Sequence, residues 1–244
     1  MTERLWTKDF TIDVVINFLL YVIMYQLMLW STQFAIHTWH AAVSEAGLAS
    51  GIFIIGTLLA RIVVGHVIDC WGRKKLLLAG AVLYTAAVPL YWGADSLQMF
   101  LFIRILHGIA YGITATAAST IVGVLVPLRR RGEGIGYYAL GNTLASAVGP
   151  FLGMALCSSG NYFINLYVCL GLSVLTLGLA LWIHAPEHLH TAADTESLLS
   201  WRLSSFFCVQ SLPISSIAFF CGICYSTVLS FIGAYSQALG LLMG

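Results

Sequence analysis

The sequence predicts an all-α integral membrane protein with seven transmembrane helices, and three observations carry that expectation. Hydrophobic residues make up 59% of the 244 residues, while Asp, Glu, Lys and Arg make up 9%. Mean hydropathy is +0.90. Ordinary globular chains hold about 25% charged residues, so the outside of a soluble fold would go unsolvated and lipid must be the solvent for most of this chain. Seven stretches reach the roughly 17–25 apolar residues that a spanning helix needs. Finally, the basic residues are confined almost entirely to alternate loops. A net charge of +1 with no basic face argues against a nucleic-acid-binding surface, a coiled coil or a disordered chain. Of 6 cysteines, at least Cys169, Cys208, Cys221 and Cys224 lie inside apolar runs, where they read as small hydrophobes and not as a disulfide framework.

The spans run at about 11–36, 46–68, 76–92, 98–127, 134–157, 162–183 and 206–233. The first is far longer than the roughly 7–15 residues of a signal-peptide core, and no small-residue cleavage site follows it. The runs are continuous and do not alternate, which argues against a transmembrane β-barrel. Arg4 and Lys8 precede helix 1, Arg73, Lys74 and Lys75 lie between helices 2 and 3, Arg129, Arg130 and Arg131 between helices 4 and 5, and Arg202 between helices 6 and 7. These nine of the 11 basic residues fall on one side, so the N-terminus is expected in the cytoplasm and the chain's end outside.

The longest hydrophilic break, 184–205, divides the chain into a six-helix half (1–183), a cytoplasmic linker (184–205) and a further helix (206–244) that reads as the start of a second bundle. His188 and His190 in the linker have no clustered ligands and read as a solvated loop, so no metal site is expected. Cys221-x-x-Cys224 has no second pair and reads as packing.

Arg61 and Arg104 are intramembrane. Each costs at least about 2.5–3.5 kcal/mol on insertion scales, so each needs a partner or an aqueous cavity. Arg61 sits roughly 10 Å inside the cytoplasmic end of helix 2, and Arg104 about 9 Å inside the outer end of helix 4. His107 follows Arg104 at i+3 and shares its face. For these three, a substrate contact, gate or proton relay competes with a structural hydrogen-bonded role. Among the acids, Asp69 ends helix 2, Glu45 begins it, and Asp13 lies about a turn into helix 1; none occupies the midplane. Gly108-x-x-x-Gly112 in helix 4, and Gly141, Ala145, Gly149 and Gly153 in helix 5, put small residues on one face so that a neighbouring backbone can approach. Pro150 is expected to bend helix 5.

Together these features resemble the major facilitator superfamily of secondary transporters. Gly65-His66-Val67-Ile68-Asp69-Cys70-Trp71-Gly72-Arg73-Lys74-Lys75 is similar to that family's signature loop, and it falls between helices 2 and 3 as the family requires. One departure is Cys70, which stands where the family usually has a base. Arg104-x-x-x-Gly108-x-x-x-Gly112 resembles the helix 4 motif, whose arginine is linked to proton coupling. Gly141 through Gly149-Pro150-x-x-Gly153 resembles the helix 5 motif of exporters and drug antiporters.

The resemblance implies a major facilitator-type helical bundle, incomplete relative to a twelve-helix fold, in which two six-helix halves rock about a midplane site. It implies proton-coupled efflux of small organic molecules or drugs across the inner membrane. A monomer is expected when the chain is complete, with small-molecule substrate, protons and lipid as partners and with neither cofactor nor nucleic acid. The loop with Gly65, Asp69, Gly72, Arg73 and Lys74 would gate, and Arg104, His107 and Asp13 are the candidates for coupling or substrate contact. Tyr25, Gln26, Trp30, Gln33 and Tyr111, with Arg104 and His107, are the expected cavity lining. A seven-helix receptor usually has its N-terminus outside, and helix 7 has no lysine for retinal. An inactive product of an interrupted gene is the remaining alternative. An enzyme is not expected, for want of a nucleophile–base set.

Overall fold

A computed structural model describes residues 4–157, 162–185 and 211–224, the side chains of Val43 and Asp69 excepted. The linker histidines His188 and His190, most of the 184–205 break and the flanks of the seventh predicted helix lie outside the described residues.

Among the described residues, six helices are long and apolar enough to cross a membrane. They are α1 (Lys8–Trp39), α2 (Val43–Trp71), α3 (Arg73–Leu90), α4 (Leu97–Leu125), α5 (Arg131–Cys157) and α6 (Tyr162–Trp182). Most begin earlier than hydropathy suggests, because the first turn is polar and is held by caps instead of lipid. Thr7 accepts from the Phe10 N–H at 3.2 Å, the Glu45 carboxylate accepts from the Ala42 N–H at 3.0 Å, and Ser96 accepts from the Met99 N–H at 3.3 Å. At the start of α5 the Arg130 guanidinium bonds the Glu133 carboxylate one turn on, at 2.6 Å and 2.7 Å. The 32 residues of α1 reach about 48 Å at 1.5 Å per residue, well beyond a hydrocarbon core of about 30 Å.

The helices pack principally as α2 on α4, α1 on α5 and α3 on α4, with α6 closing against α1 and α3. Large apolar side chains remain exposed along α2 (Ile55, Leu58, Leu59, Ile62) and α5 (Leu140, Leu144, Phe151, Met154). Surfaces of that kind are unfavourable in water and natural in lipid.

The chain divides into two compact units near residue 200. In the second, the described residues contain one short apolar helix, α7 (Leu212–Cys224). It is shorter than the predicted 206–233 over the part described. Its Cys221 and Cys224 are free and exposed, not buried by packing.

Candidate functional site

The turn between α2 and α3 is built by glycine. Gly72 closes α2 and opens α3 at φ 89°, a left-handed conformation that other residues adopt only with strain. Asp69 lies in the last turn of α2. Lys74, one residue into α3, donates from Nζ to the Leu181 carbonyl at the end of α6 at 3.4 Å, tying the loop to the bundle. Gly65 has open space where a Cβ would stand.

Glycines also set close helix contacts on two seams, α2–α4 and α1–α5. A Cβ on Gly108 would collide with the Phe53 carbonyl, and one on Gly112 would stand 2.7 Å from both the Ala60 Cβ and the Thr57 carbonyl oxygen. Across α1, a Cβ on Gly149 would lie 2.6 Å from the Tyr25 Cβ, and one on Gly153 3.0 Å from the Gln26 carbonyl oxygen. Gly141 is different, since its nearest neighbour would be at 3.6 Å. The pairs α2–α4 and α1–α5 are therefore joined backbone to backbone.

Arg104 and His107 share a face, as their spacing requires, and that face points into the bundle at α2 and α3. Arg104 is 1% exposed. Its Nε donates to the Ala49 carbonyl at 2.9 Å, and its guanidinium sits 4.8 Å from the Phe53 ring centroid. Nη1 has no hydrogen-bond partner among the described residues. His107 Nδ1 lies 3.0 Å from the Tyr91 hydroxyl, with the ring 4.4 Å from that of Tyr84. Among the described residues no carboxylate makes an ion pair with Arg104. Its charge is met by a carbonyl dipole, the Tyr91 hydroxyl and an aromatic face, with no countercharge to compensate burial.

Asp13 is completely buried, and neither carboxylate oxygen finds a hydrogen bond among the described residues. One turn along, Asn17 donates to the Tyr138 carbonyl at 3.2 Å and to the Asn142 side-chain oxygen at 2.6 Å, joining α1 to α5.

Two of the cavities among the described residues bear on the site. The larger, about 310 Å³, lies among α1, α2, α4 and α5 and is lined by Asn17, Tyr21, Arg61, Ala115, Thr116, Ser119 and Tyr138. The second, about 270 Å³, is lined by Tyr25, Gln33 and Pro150 among others. Of the lining residues expected from sequence, Tyr25 and Gln33 reach the second cavity. Gln26 instead donates to the Asn165 side chain at 2.5 Å, and Trp30 to the Tyr162 carbonyl at 2.8 Å, both toward α6. Tyr111 is buried against Tyr21, Phe53 and Tyr84. Asn17, Tyr21, Thr116, Ser119 and Tyr138 were not legible as lining from sequence. The signal available was the i, i+4 register of Asn17 and Tyr21 and the hydroxyl cluster on α4.

The model of the family described as the Major Facilitator Superfamily matches residues 14–243. An uncharacterized MFS-type transporter of Methanocaldococcus jannaschii is 29% identical over 131 residues, 54% of this chain and 34% of that protein. A probable chloroplastic anion transporter of Arabidopsis thaliana is 31% identical over 146 residues, 59% of this chain and 27% of its own length. An MFS-type efflux transporter of Phaeosphaeria nodorum is 30% identical over 98 residues, 40% of this chain and 17% of that protein. The matched region is thus no more than about a third of each of these relatives.

Proposed function

This chain belongs to the major facilitator superfamily, and from that premise we propose that it supplies one six-helix half of a secondary active transporter that moves small organic molecules by alternating access, driven by protons. The observation that carries this reading is the cavity between α1, α2, α4 and α5, which holds Arg61, Asn17 and several hydroxyls, in a bundle whose helix pairs are locked by glycine. Such a half moves as a rigid body, and its polar face is where a second half would close the substrate site. Efflux is the favoured direction, because Gly149, Pro150 and Gly153 follow the pattern of exporters and some relatives are named efflux transporters. Coupling is assigned to Arg104, His107 and Asp13.

In this reading Asp69 and the Gly72–Lys74 turn latch the closed cytoplasmic side. In the complete protein, Asp69→Asn should leave membrane insertion intact. It should slow transport by about tenfold, as a shift of about 1.4 kcal/mol between the two access states would. Unchanged initial rates in vesicles carrying equal amounts of protein would remove the latch.

The same reading sets the topology, with Arg73–Lys75 and Arg129–Arg131 in the cytoplasm and Glu45 and Asp95 outside. A single cysteine at position 130 should resist an impermeant maleimide in intact cells and react in everted vesicles, and one at position 95 should do the reverse. Labelling of position 130 from outside would invert the model.

A further inference from the structure

The transporter reading leaves the substrate class open, and the larger cavity narrows it. Resting on that reading, we infer that this cavity binds a small organic anion that also carries hydroxyl groups, with Arg61 taking the anionic end.

Arg61 is the only charged residue among those lining the cavity. It is exposed there, although it stands within the apolar span Ser44–Ile68. Its planar fork suits a carboxylate or phosphate, which it can bind through two parallel hydrogen bonds. Tyr138 also lines the cavity, and its hydroxyl oxygen is buried with no hydrogen-bond partner among the described residues. A bound anion would accept from Arg61, and from Tyr138 once a small movement of that side chain brings its hydroxyl to the cavity.

The other polar groups indicate what the rest of the ligand offers. Thr116 donates its hydroxyl proton to the Gly112 carbonyl at 2.7 Å, and Ser119 donates to the Thr116 carbonyl at 2.9 Å. Both therefore present lone pairs to the cavity, and lone pairs repel an anion and receive hydroxyl donors. Asn17 spends its amide protons on α5, so it stiffens the wall and does not bind the anionic group. Asp13, the neighbouring acid on α1, is completely buried and does not line the cavity. The donor end and the acceptor end together fit a sugar acid or a sugar phosphate better than an amphiphilic cation.

Calorimetric titration of the purified full-length protein in phosphatidylcholine nanodiscs tests this with gluconate, glucose 6-phosphate, benzoate and glucose. At least one hydroxylated anion should bind saturably and more tightly than benzoate, and glucose should be weaker still. Arg61→Gln should weaken that anion by about tenfold or more, with Arg61→Lys intermediate, and Tyr138→Phe should weaken it by about three- to tenfold. Thermal melting of the Arg61 variants should match the parent, because Arg61 is exposed, and Tyr138→Phe should not melt lower, because the hydroxyl it removes has no partner among the described residues. Adding phosphatidylglycerol to the discs should leave the affinity unchanged; competitive loss would assign the site to a lipid headgroup and overturn the inference. Binding by neither anion, binding unaffected by Arg61→Gln, or glucose binding as well as the anions would also overturn it. These arms read binding without transport. Gene-dependent transport with no Arg61-dependent anion binding sinks the inference alone, whereas such binding without any transport sinks the transporter reading alone.

Discussion

Gly108→Val is expected to prevent α2 from seating on α4. A Cβ at that position falls on the Phe53 carbonyl, which belongs to a helix backbone and cannot rotate away. The helices must separate, and the close contacts at Gly56 and Gly112 on the same seam separate with them. Overpacking typically costs about 1–3 kcal/mol, and a clash of backbone with backbone belongs at or beyond the upper end. Lipid supplies no hydrophobic force to hold the pair together once close packing is lost. The measurement is thermal unfolding of purified protein in mild detergent, together with the yield of folded protein. Gly108→Val should unfold many degrees lower or fail to accumulate. Gly123→Val, on the same helix where a Cβ would meet nothing within 4 Å, should behave like the parent. Equal stability of the two variants would mean that the α2–α4 seam is not as close as described.

Arg104 carries the second large effect, and here stability and activity should part. The guanidinium is buried with one backbone hydrogen bond, the Tyr91 hydroxyl, one aromatic face and an Nη1 that has no partner among the described residues. Burying a charge that is so incompletely met is unfavourable. Arg104→Met keeps most of the volume and removes the charge. It should leave the melting temperature unchanged or raised while reducing driven transport by at least about tenfold, the rate equivalent of about 1.4 kcal/mol. Arg104→Lys retains the charge without the fork and should keep part of the rate. A fall in melting temperature with a proportionate fall in transport would make Arg104 a structural brace between α2 and α4.

The helices and their order were legible because hydropathy reports directly on what lipid demands of a segment. Their polar first turns were not, since a cap such as Ser96 or the Glu45 carboxylate stabilises a helix end without adding any apolar residue. The shared face of Arg104 and His107 followed from their spacing. That this face turns to α2 and α3 depends on packing, because α4 is apolar on most sides and its sequence does not mark which side is covered. The expected lining of α1 erred for a geometric reason. Tyr25 and Gln26 are consecutive, hence about 100° apart on a helix, and here that rotation puts Tyr25 on the cavity side and Gln26 against α6. Tyr25 and Gln33, eight apart, share one wall, while Gln26 and Trp30, four apart, bond α6. The larger cavity was hidden because neutral hydroxyls and amides perturb hydropathy little. Arg61 alone stood out from its surroundings.

Vesicle transport decides whether the protein works as part of a proton-driven carrier. Everted membrane vesicles from cells expressing the full-length gene product would be offered three radiolabelled solutes: gluconate, glucose and an amphiphilic cationic drug. With an inside-acid pH gradient imposed, at least one solute should accumulate in a gene-dependent way, collapsed by a protonophore and lost in Arg104→Met. Equal uptake of all three in vesicles with and without the protein would contradict it.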